Sequence, residues 1–394
     1  MTTPMTHNAT ALPAPAHHRA DDAPWWWRPC GVDQARINLA YLYDAFREAK
    51  NSDGRYKPCA KFAHDNERAA AHRLHDRVEN AGFVFRSERA FLDRAATYLA
   101  GHQRVSSIVV AGAGLPHIAG DDDLHSQVRL GEEIARNRLQ RTACATVIYV
   151  ERDPLTLAHL RTIADADDGV HVVEADPWNP AAMWDTLYNT GSENPGLICP
   201  DLDRVALLLG GGTMSFYGGS RTDAARVVQE HLARLPAGGF LAMTHLYEPE
   251  NPDLAVQARE FETALHALQD HGLGTGSLAT EAEIHAMIQG TSVLPPGIVP
   301  AFTWYPDGPP AGSPVCGHFT AAVLTQKPGP DHDLPQPPWS ATSGSLTARI
   351  PTTRAARDPE PMSPRNSGYL HGGTGPGLDR SPGGGQSCLA RPQG

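Results

Sequence analysis

The chain has little of what metal-binding, disulfide-bonded or membrane-spanning proteins need. Its six cysteines are scattered over 394 residues and form no Cys-x-x-Cys pair, which argues against both a zinc site and a disulfide framework. The best apolar run, at 205–209, ends at three glycines and is far too short to cross a bilayer. We therefore predict a cytoplasmic protein with reduced thiols, no metal and no membrane segment.

Positive charge is also scarce. The chain has 33 lysines and arginines against 44 aspartates and glutamates, and its net charge is −11. Binding to phosphates depends on clustered positive charge. This composition therefore argues against nucleic acid and anionic membranes as partners, while its 41% hydrophobic content is ordinary for a globular protein.

Composition also divides the chain into three parts. Residues 1–29 lack periodicity and are predicted to be disordered, although the tryptophans at 25–27 are expected to dock on the main domain. Residues 30–326 are predicted to form one domain, with a helical cap over 30–103 and a core over 104–326. The remaining residues, 327–394, are rich in proline and glycine and are predicted to be disordered.

Within the core, strand-like and helix-like segments alternate. This alternation predicts a doubly wound, Rossmann-like α/β fold with a mostly parallel sheet of seven strands, of which a terminal strand is antiparallel. Strands are predicted at 105–111, 145–151, 170–174, 203–210, 238–245, 299–305 and 318–325. Helices are predicted at 32–50, 62–80 and 87–100 in the cap, and at 124–140, 154–165, 179–189, 221–235 and 253–270 in the core. Ser220 and Asp223 resemble an N-cap with a carboxylate at N3, and Thr280 with Glu283 predicts a capping box that opens a further short helix.

The first core strand leads into a glycine turn. Gly112 and Gly114 allow a tight turn and a close approach of the backbone to a ligand, as in nucleotide-type cofactor sites. The third glycine of a dinucleotide fingerprint would fall at His117, so an NAD-dependent oxidoreductase remains only a minor alternative.

Acidic residues follow the next two strands. Glu151 ends the second strand and is predicted to accept hydrogen bonds from the ribose hydroxyls of an adenosine, because Asp153 is the better N-cap for the helix that begins at Pro154. Asp176 follows the third strand and is predicted to accept the exocyclic amine of adenine, the alternative being a capping role.

A glycine turn followed by these two acids resembles the class I S-adenosylmethionine-dependent methyltransferases. Within this class, the chain resembles the actinobacterial S-adenosyl methyltransferase family. Residues 88–95 are similar to that family's Asn-Arg-x-Phe-Leu-x-Arg-Ala helix. The resemblance extends over roughly 32–326. It rests on Ser-Glu-Arg-Ala-Phe-Leu-Asp-Arg-Ala-Ala-Thr-Tyr-Leu-Ala at 87–100, Gly-Ala-Gly-Leu-Pro at 112–116, Val-Ile-Tyr-Val-Glu-Arg-Asp-Pro-Leu-Thr-Leu-Ala-His at 147–159, Thr-His at 244–245 and Gly-Ile-Val-Pro-Ala-Phe-Thr-Trp-Tyr-Pro at 297–306.

The resemblance implies an enzyme that transfers a methyl group from S-adenosylmethionine to a small-molecule acceptor. His245, expected after the fifth strand at the mouth of the site, is the candidate general base, although a histidine bonded to a neighbouring loop is an equal alternative. Met214 and Tyr217 are expected to line the acceptor pocket. The residues expected to bind the cofactor are Gly112, Ala113, Gly114, Glu151, Arg152 and Asp176.

One position departs from the family pattern. The family has aspartate at the third residue of its first-strand motif, where this chain has Val110. In class I methyltransferases an acid at this place usually helps to hold the ammonium group of the cofactor. The departure leaves a second hypothesis open, in which a degenerate member binds the cofactor weakly or not at all and serves as a scaffold or regulator.

Overall fold

A computed structural model describes most of the predicted domain. The described residues are 37–48, 56, 60–116, 123–142, 144–188, 197–199, 204–268, 276–304 and 313–329. The predicted disordered segment 1–29, with its tryptophan triplet, and residues 330–394 of the predicted tail lie outside them. Among the described residues no helix is long and apolar enough to span a membrane, and no cluster of potential metal ligands occurs.

The strands form one sheet whose order is β3-β2-β1-β4-β5-β8-β6, with β7 also paired to β8. Strands β1 to β5 are parallel, and β8 is antiparallel to β5, β6 and β7. The predicted doubly wound fold is thus confirmed. The strands are β1 Ser107–Ala111, β2 Thr146–Glu151, β3 Val170–Glu174, β4 Val205–Leu209, β5 Phe240–Leu246, β6 Ser292–Val293, β7 Val299–Pro300 and β8 Thr320–Gln326.

Helices cover both faces of this sheet. Alternate residues of β1 enter different hydrophobic clusters: Ile108 and Val110 face the side that includes Leu99, whereas Val109 faces the side that includes Trp184. Burial on both faces explains why the central strands are continuous apolar runs. The helices are α1 Leu39–Ala45, α2 Asp65–Arg77, α3 Gly82–His102, α4 Leu124–Leu139, α5 Pro154–Ala164, α6 Pro180–Tyr188, α7 Arg221–Arg234, α8 Pro252–His266 and α9 Glu281–Met287.

The local signals that begin helices are confirmed. Ser220 and Asp223 form a reciprocal capping box at α7, and Thr280 with Glu283 forms another at α9. Asp153 caps α5 by accepting a hydrogen bond from the backbone N–H of Thr156 at 2.8 Å. The carboxylate of Glu151 is therefore not needed for this cap.

Some predicted segments were wrong in extent. The third cap helix begins at Gly82 rather than at residue 87. The strand predicted at 299–305 is only the two-residue β7, because a 3-10 turn at Ala301–Thr303 follows it. The short strand β6 was not predicted, since two residues give no detectable alternation. The resemblance places His245 after the fifth strand, but β5 continues through Leu246 and includes it.

Helices α3 and α4 cross at two glycines. Gly131 of α4 lies so close to α3 that a β-carbon there would approach Ala100 Cβ to 2.9 Å and Gly101 N to 3.0 Å, and would overlap the carbonyl oxygen of Thr97. The crossing fixes α3, whose opposite end covers the carboxyl edge of the sheet.

We expect Gly131→Ala to destabilise the protein. In an ordinary helix this change is favourable by about 1 kcal/mol, but here the methyl group meets backbone atoms of α3. The free energy of unfolding should fall by about 1–3 kcal/mol, as measured by urea denaturation. Asn137→Ala, at an exposed position of the same helix, is the control and should leave stability unchanged or raise it slightly. A more stable Gly131→Ala variant would contradict the close crossing.

Candidate active site

Two glycine turns meet at the carboxyl edge of the sheet. One follows β1, where Gly112 and Gly114 have φ of 72° and 66°. The other follows the adjacent strand β4, where Gly211 and Gly212 have φ of 60° and 79°. All four angles lie in the left-handed region that favours glycine. Strand order reverses at this pair of strands, which is where open α/β sheets bind ligands.

The turn after β1 is anchored to the end of β2. The backbone N–H groups of Gly112 and Ala113 donate to Val150 O at 3.0 and 3.1 Å, and the N–H of Gly114 donates to Glu151 Oε2 at 3.0 Å. A β-carbon at Gly114 would meet no atom within 4 Å. The loop is therefore held by hydrogen bonds on the side that faces β2, and no atom of the described residues covers Gly114 on its other side.

A cavity of about 490 Å³ lies over this edge. Its floor comprises Val110 and both glycine turns, and its roof comprises residues of α1 and α3. The volume is in the range typical of small-molecule sites. The predicted residues Gly112, Ala113 and Gly114 line it, together with Tyr43, Asp44, Arg47, Arg86, Arg89, Leu92 and Asp93.

The carboxylate of Glu151 lies at the end of β2, as predicted, and is only 8% exposed. Its Oε1 accepts from the N–H groups of Arg152 and Asp153 at 2.8 and 3.1 Å, while Oε2 accepts from Gly114. Burial raises the pKa of Glu151, although these three backbone donors oppose the shift. The residue thus joins the strand end to the glycine turn.

Arg152 and Asp176 are brought together at neighbouring strand ends. Arg152 Nη1 lies 3.2 Å from Asp176 Oδ2, and its guanidinium lies 4.1 Å from the ring centroid of Trp178. Trp178 donates from its indole N–H to Thr213 O at 2.7 Å. The sequence did not single out Trp178, since one tryptophan in a loop gives no periodic signal. Its flat face beside the two charged residues could stack a planar heterocycle.

The roof contains charged side chains that sequence analysis missed. Arg89 Nε donates to Asp93 Oδ1 at 3.2 Å, and the two side chains are 19% and 22% exposed. Burial opposes the charge of Arg89, but Asp93, Tyr149 and Asp123 together outweigh it, and the pKa of Arg89 is raised. In the sequence these residues belong to an amphipathic helix, whose pattern does not show that its polar side faces a cavity.

A buried carboxyl group lies behind the roof. Glu88 is fully buried; Tyr43 O–H donates to its Oε2 at 2.7 Å, and Thr320 Oγ1 lies 3.0 Å from its Oε1. Desolvation raises the pKa of Glu88 to about 7. Thr320 Oγ1 also lies 3.3 Å from His245 O, so a protonated Glu88 can donate to Thr320 while Thr320 donates to that carbonyl. Glu88 occupies the place of asparagine in the family's helix pattern.

His245, the predicted general base, is 1% exposed and is not among the residues that line the cavity. Its Nδ1–H donates to Leu246 O at 2.7 Å, and its Nε2 accepts from Arg221 Nη1 at 2.8 Å. Burial lowers the pKa of His245 to about 4. With both nitrogens engaged, the neutral ring fits the alternative of a structural role better than that of a base.

Of the two predicted acceptor-pocket residues, Met214 is fully buried in the core cluster of α6 and α7. Tyr217 is partly exposed and meets Trp178 edge to face, with ring centroids 5.6 Å apart. Neither lines the described cavity, so their predicted role in acceptor binding stays a prediction.

The mostly parallel sheet, with its strand order and its antiparallel β8, matches the fold of class I methyltransferases. A family model described as S-adenosyl methyltransferase matches residues 59–327, and the chain belongs to this family. The family's cofactor is S-adenosylmethionine, and the resemblance noted in the sequence is confirmed.

Solved structures agree on the fold. A putative methyltransferase from Thermobifida fusca YX is 23% identical with a TM-score of 0.60, over 77% of this chain and 99% of the other. A DUF574 family protein from Streptomyces avermitilis MA-4680 is 22% identical with a TM-score of 0.56, over 74% of this chain and 98% of the other. No curated protein sequence matches the chain.

The described residues fit S-adenosylmethionine. The bare face of Gly114 admits a ligand against the backbone. A carboxylate at the end of β2 and a second acid after β3 supply acceptors of the kind that ribose hydroxyls and an adenine amine need.

We expect Glu88→Gln to remove a pH dependence of stability. Unfolded Glu88 ionises near pH 4.5, whereas folded Glu88 keeps its proton until about pH 7. The free energy of unfolding therefore falls as the pH rises between these values. Glutamine mimics the protonated acid, so the variant should match the wild type near pH 4.5 and exceed it at pH 8 by about 3 kcal/mol, as measured by urea denaturation.

Glu174→Gln is the matched control, because the Glu174 side chain is 66% exposed. Its difference from the wild type should stay constant over the same pH range. A constant difference for Glu88→Gln as well would show that the carboxyl group of Glu88 has an ordinary pKa.

Proposed function

We propose that this protein transfers the methyl group of S-adenosylmethionine to a small-molecule acceptor bound beneath α1 and α3. The observation that carries this proposal is the cavity itself, because the glycine turn of the cofactor loop forms part of its floor. The helical roof leaves room for a small molecule and favours it over a macromolecular acceptor. The acidic net charge of −11 points the same way.

The chain's own residues would hold the cofactor in two regions. Glu151 would accept the ribose hydroxyls, and Asp176 with Arg152 and Trp178 would bind the adenine. Gly112, Ala113 and Gly114 would lie against the methionine part. When bound, the cofactor supplies an electrophilic methyl group on a positively charged sulfur.

Methyl transfer is an in-line displacement, so the protein mainly aligns the acceptor and keeps water out. Rigid walls serve both needs. Thr213 Oγ1 lies 2.6 Å from Gly210 O and 3.3 Å from Ala111 O, which ties the two glycine turns together. A β-carbon at Gly112 would overlap this hydroxyl, so glycine is needed there for the turns to meet.

An acceptor that loses a proton needs a group to receive it. Tyr43 lines the cavity and donates to Glu88, so a proton that reaches the phenol oxygen can be relayed to the carboxylate. This route suits proton transfer near neutral pH, since the pKa of Glu88 is about 7. In the proposed enzyme, Tyr43 and Glu88 therefore replace His245 as the proton-accepting pair.

We expect Glu151→Ala to weaken the binding of S-adenosylhomocysteine, the product form of the cofactor, by at least about tenfold. The loss follows from removing an ionised acceptor of two hydroxyl groups and the anchor of Gly114. Isothermal titration calorimetry at constant salt measures the affinity. Glu151→Gln keeps an oxygen for the loop amides and should lose less.

Glu174→Ala is the control, because Glu174 pairs in register with Glu151 on the neighbouring strand and its side chain is exposed. It should bind like the wild type. Equal affinity of Glu151→Ala and the wild type would refute this placement of the adenosine. No heat from wild-type protein at millimolar ligand would favour the scaffold or regulator hypothesis, and competition by NAD would favour an oxidoreductase.

Turnover is tested with methyl-labelled S-adenosylmethionine and a metabolite extract. Mass spectrometry should find a labelled compound heavier than its precursor by one methyl group. The compound should form with the wild type, and more slowly with Glu151→Ala at cofactor concentrations that do not saturate the variant. Glu88→Gln should bind S-adenosylhomocysteine normally but form the product more slowly, and its rate should lose the rise near pH 7.

A further inference from the structure

The floor of the cavity lacks the acid expected from the family pattern. Val110 occupies that position, is 3% exposed and lines the cavity. It belongs to the same hydrophobic cluster as Leu92 of α3, so the side chain at 110 points toward that helix. A valine cannot pair with an ammonium group, whose desolvation is costly without an ionic partner.

Helix α3 contributes three of the charged side chains that line the cavity with Val110. Arg86, Arg89 and Asp93 are spaced by three and four residues, which places them on one face of a helix, and all three line the cavity. Asp44 of α1 also lines the cavity, but its Oδ2 already accepts hydrogen bonds from the backbone N–H groups of Lys61, Phe62 and Ala63.

We propose that Asp93 binds the α-ammonium group of the cofactor in place of the missing first-strand acid, with Arg89 receiving the carboxylate. The Arg89–Asp93 ion pair complements a zwitterion, because the ligand's ammonium group can pair with Asp93 while its carboxylate pairs with Arg89. Both side chains keep an ionic partner in this arrangement. The inference rests on the proposed function, since it assumes that the cavity takes the cofactor.

The test compares two ligands on the full-length protein by calorimetry at constant salt. One is S-adenosylhomocysteine, and the other is its deamino analogue, which has hydrogen in place of the ammonium group. Asp93→Asn should weaken S-adenosylhomocysteine by about tenfold or more and change the affinity of the analogue less than about twofold. Restoring an acid on the floor, as Asp93→Asn with Val110→Asp, should recover most of the lost affinity.

Equal weakening of both ligands, or of neither, would overturn the assignment. Asp93→Glu provides a second variant that keeps the ion pair with Arg89 if Asp93→Asn does not fold. It shifts the carboxylate by one methylene, and the preference for S-adenosylhomocysteine over the analogue should fall; an unchanged preference would also overturn the assignment. Failure of the proposed function is distinguishable, because the wild type would then bind neither ligand.

Discussion

The site depends on the attachment of the first glycine turn to the neighbouring strand. Three successive backbone N–H groups, from Gly112 to Gly114, donate to the last two residues of β2. A loop with its amides used in this way cannot collapse into the cavity. Because β4 lies on the other side of β1, its own glycine turn meets the same edge, and Thr213 ties the two turns together. The helices of the roof close a space that this backbone geometry has already defined.

Burial sets the charge of several polar groups in the core. Glu88, His245 and His231 are almost wholly buried, and desolvation favours the neutral form of each. His231 accepts from Trp184 Nε1 at 3.0 Å and donates to Pro177 O at 2.8 Å, and burial lowers its pKa to about 4. Ionic groups lie on the cavity face of α3 instead, where Arg89 and Asp93 pair with each other. Neutral polar groups are therefore buried in the core, and charged groups lie at the surface of the cavity.

The sequence predicted those parts of the fold and site that have local causes. Buried strands, capping boxes and the glycine turn each depend on a pattern of a few neighbouring residues. Their positions were therefore predicted to within a few residues. The position of Glu151 was predicted because the end of a parallel strand is a fixed place in such a fold. The contacts of α3 and His245 could not be predicted in this way. Whether the polar face of a helix covers a cavity depends on contacts between distant parts of the chain. Whether a histidine has both nitrogens engaged can do so too: the partner of His245 Nε2, Arg221, lies 24 residues away.

Moving an acid from a strand to a helix changes the physics of cofactor binding. An acid on the floor at Val110 would stand in a buried strand, where its charge would be desolvated before any ligand arrived. Asp93 is on the helical roof, 22% exposed and already paired with Arg89, so its charge has a partner before any ligand binds. When a zwitterionic ligand binds, the ion pair between Arg89 and Asp93 is replaced by ion pairs with the ligand. The net binding free energy then comes from the additional contacts rather than from neutralising an unpaired charge. Such a site selects ligands that carry both an ammonium group and a carboxylate in the right arrangement. A ligand that lacks either charge leaves Asp93 or Arg89 without its ionic partner.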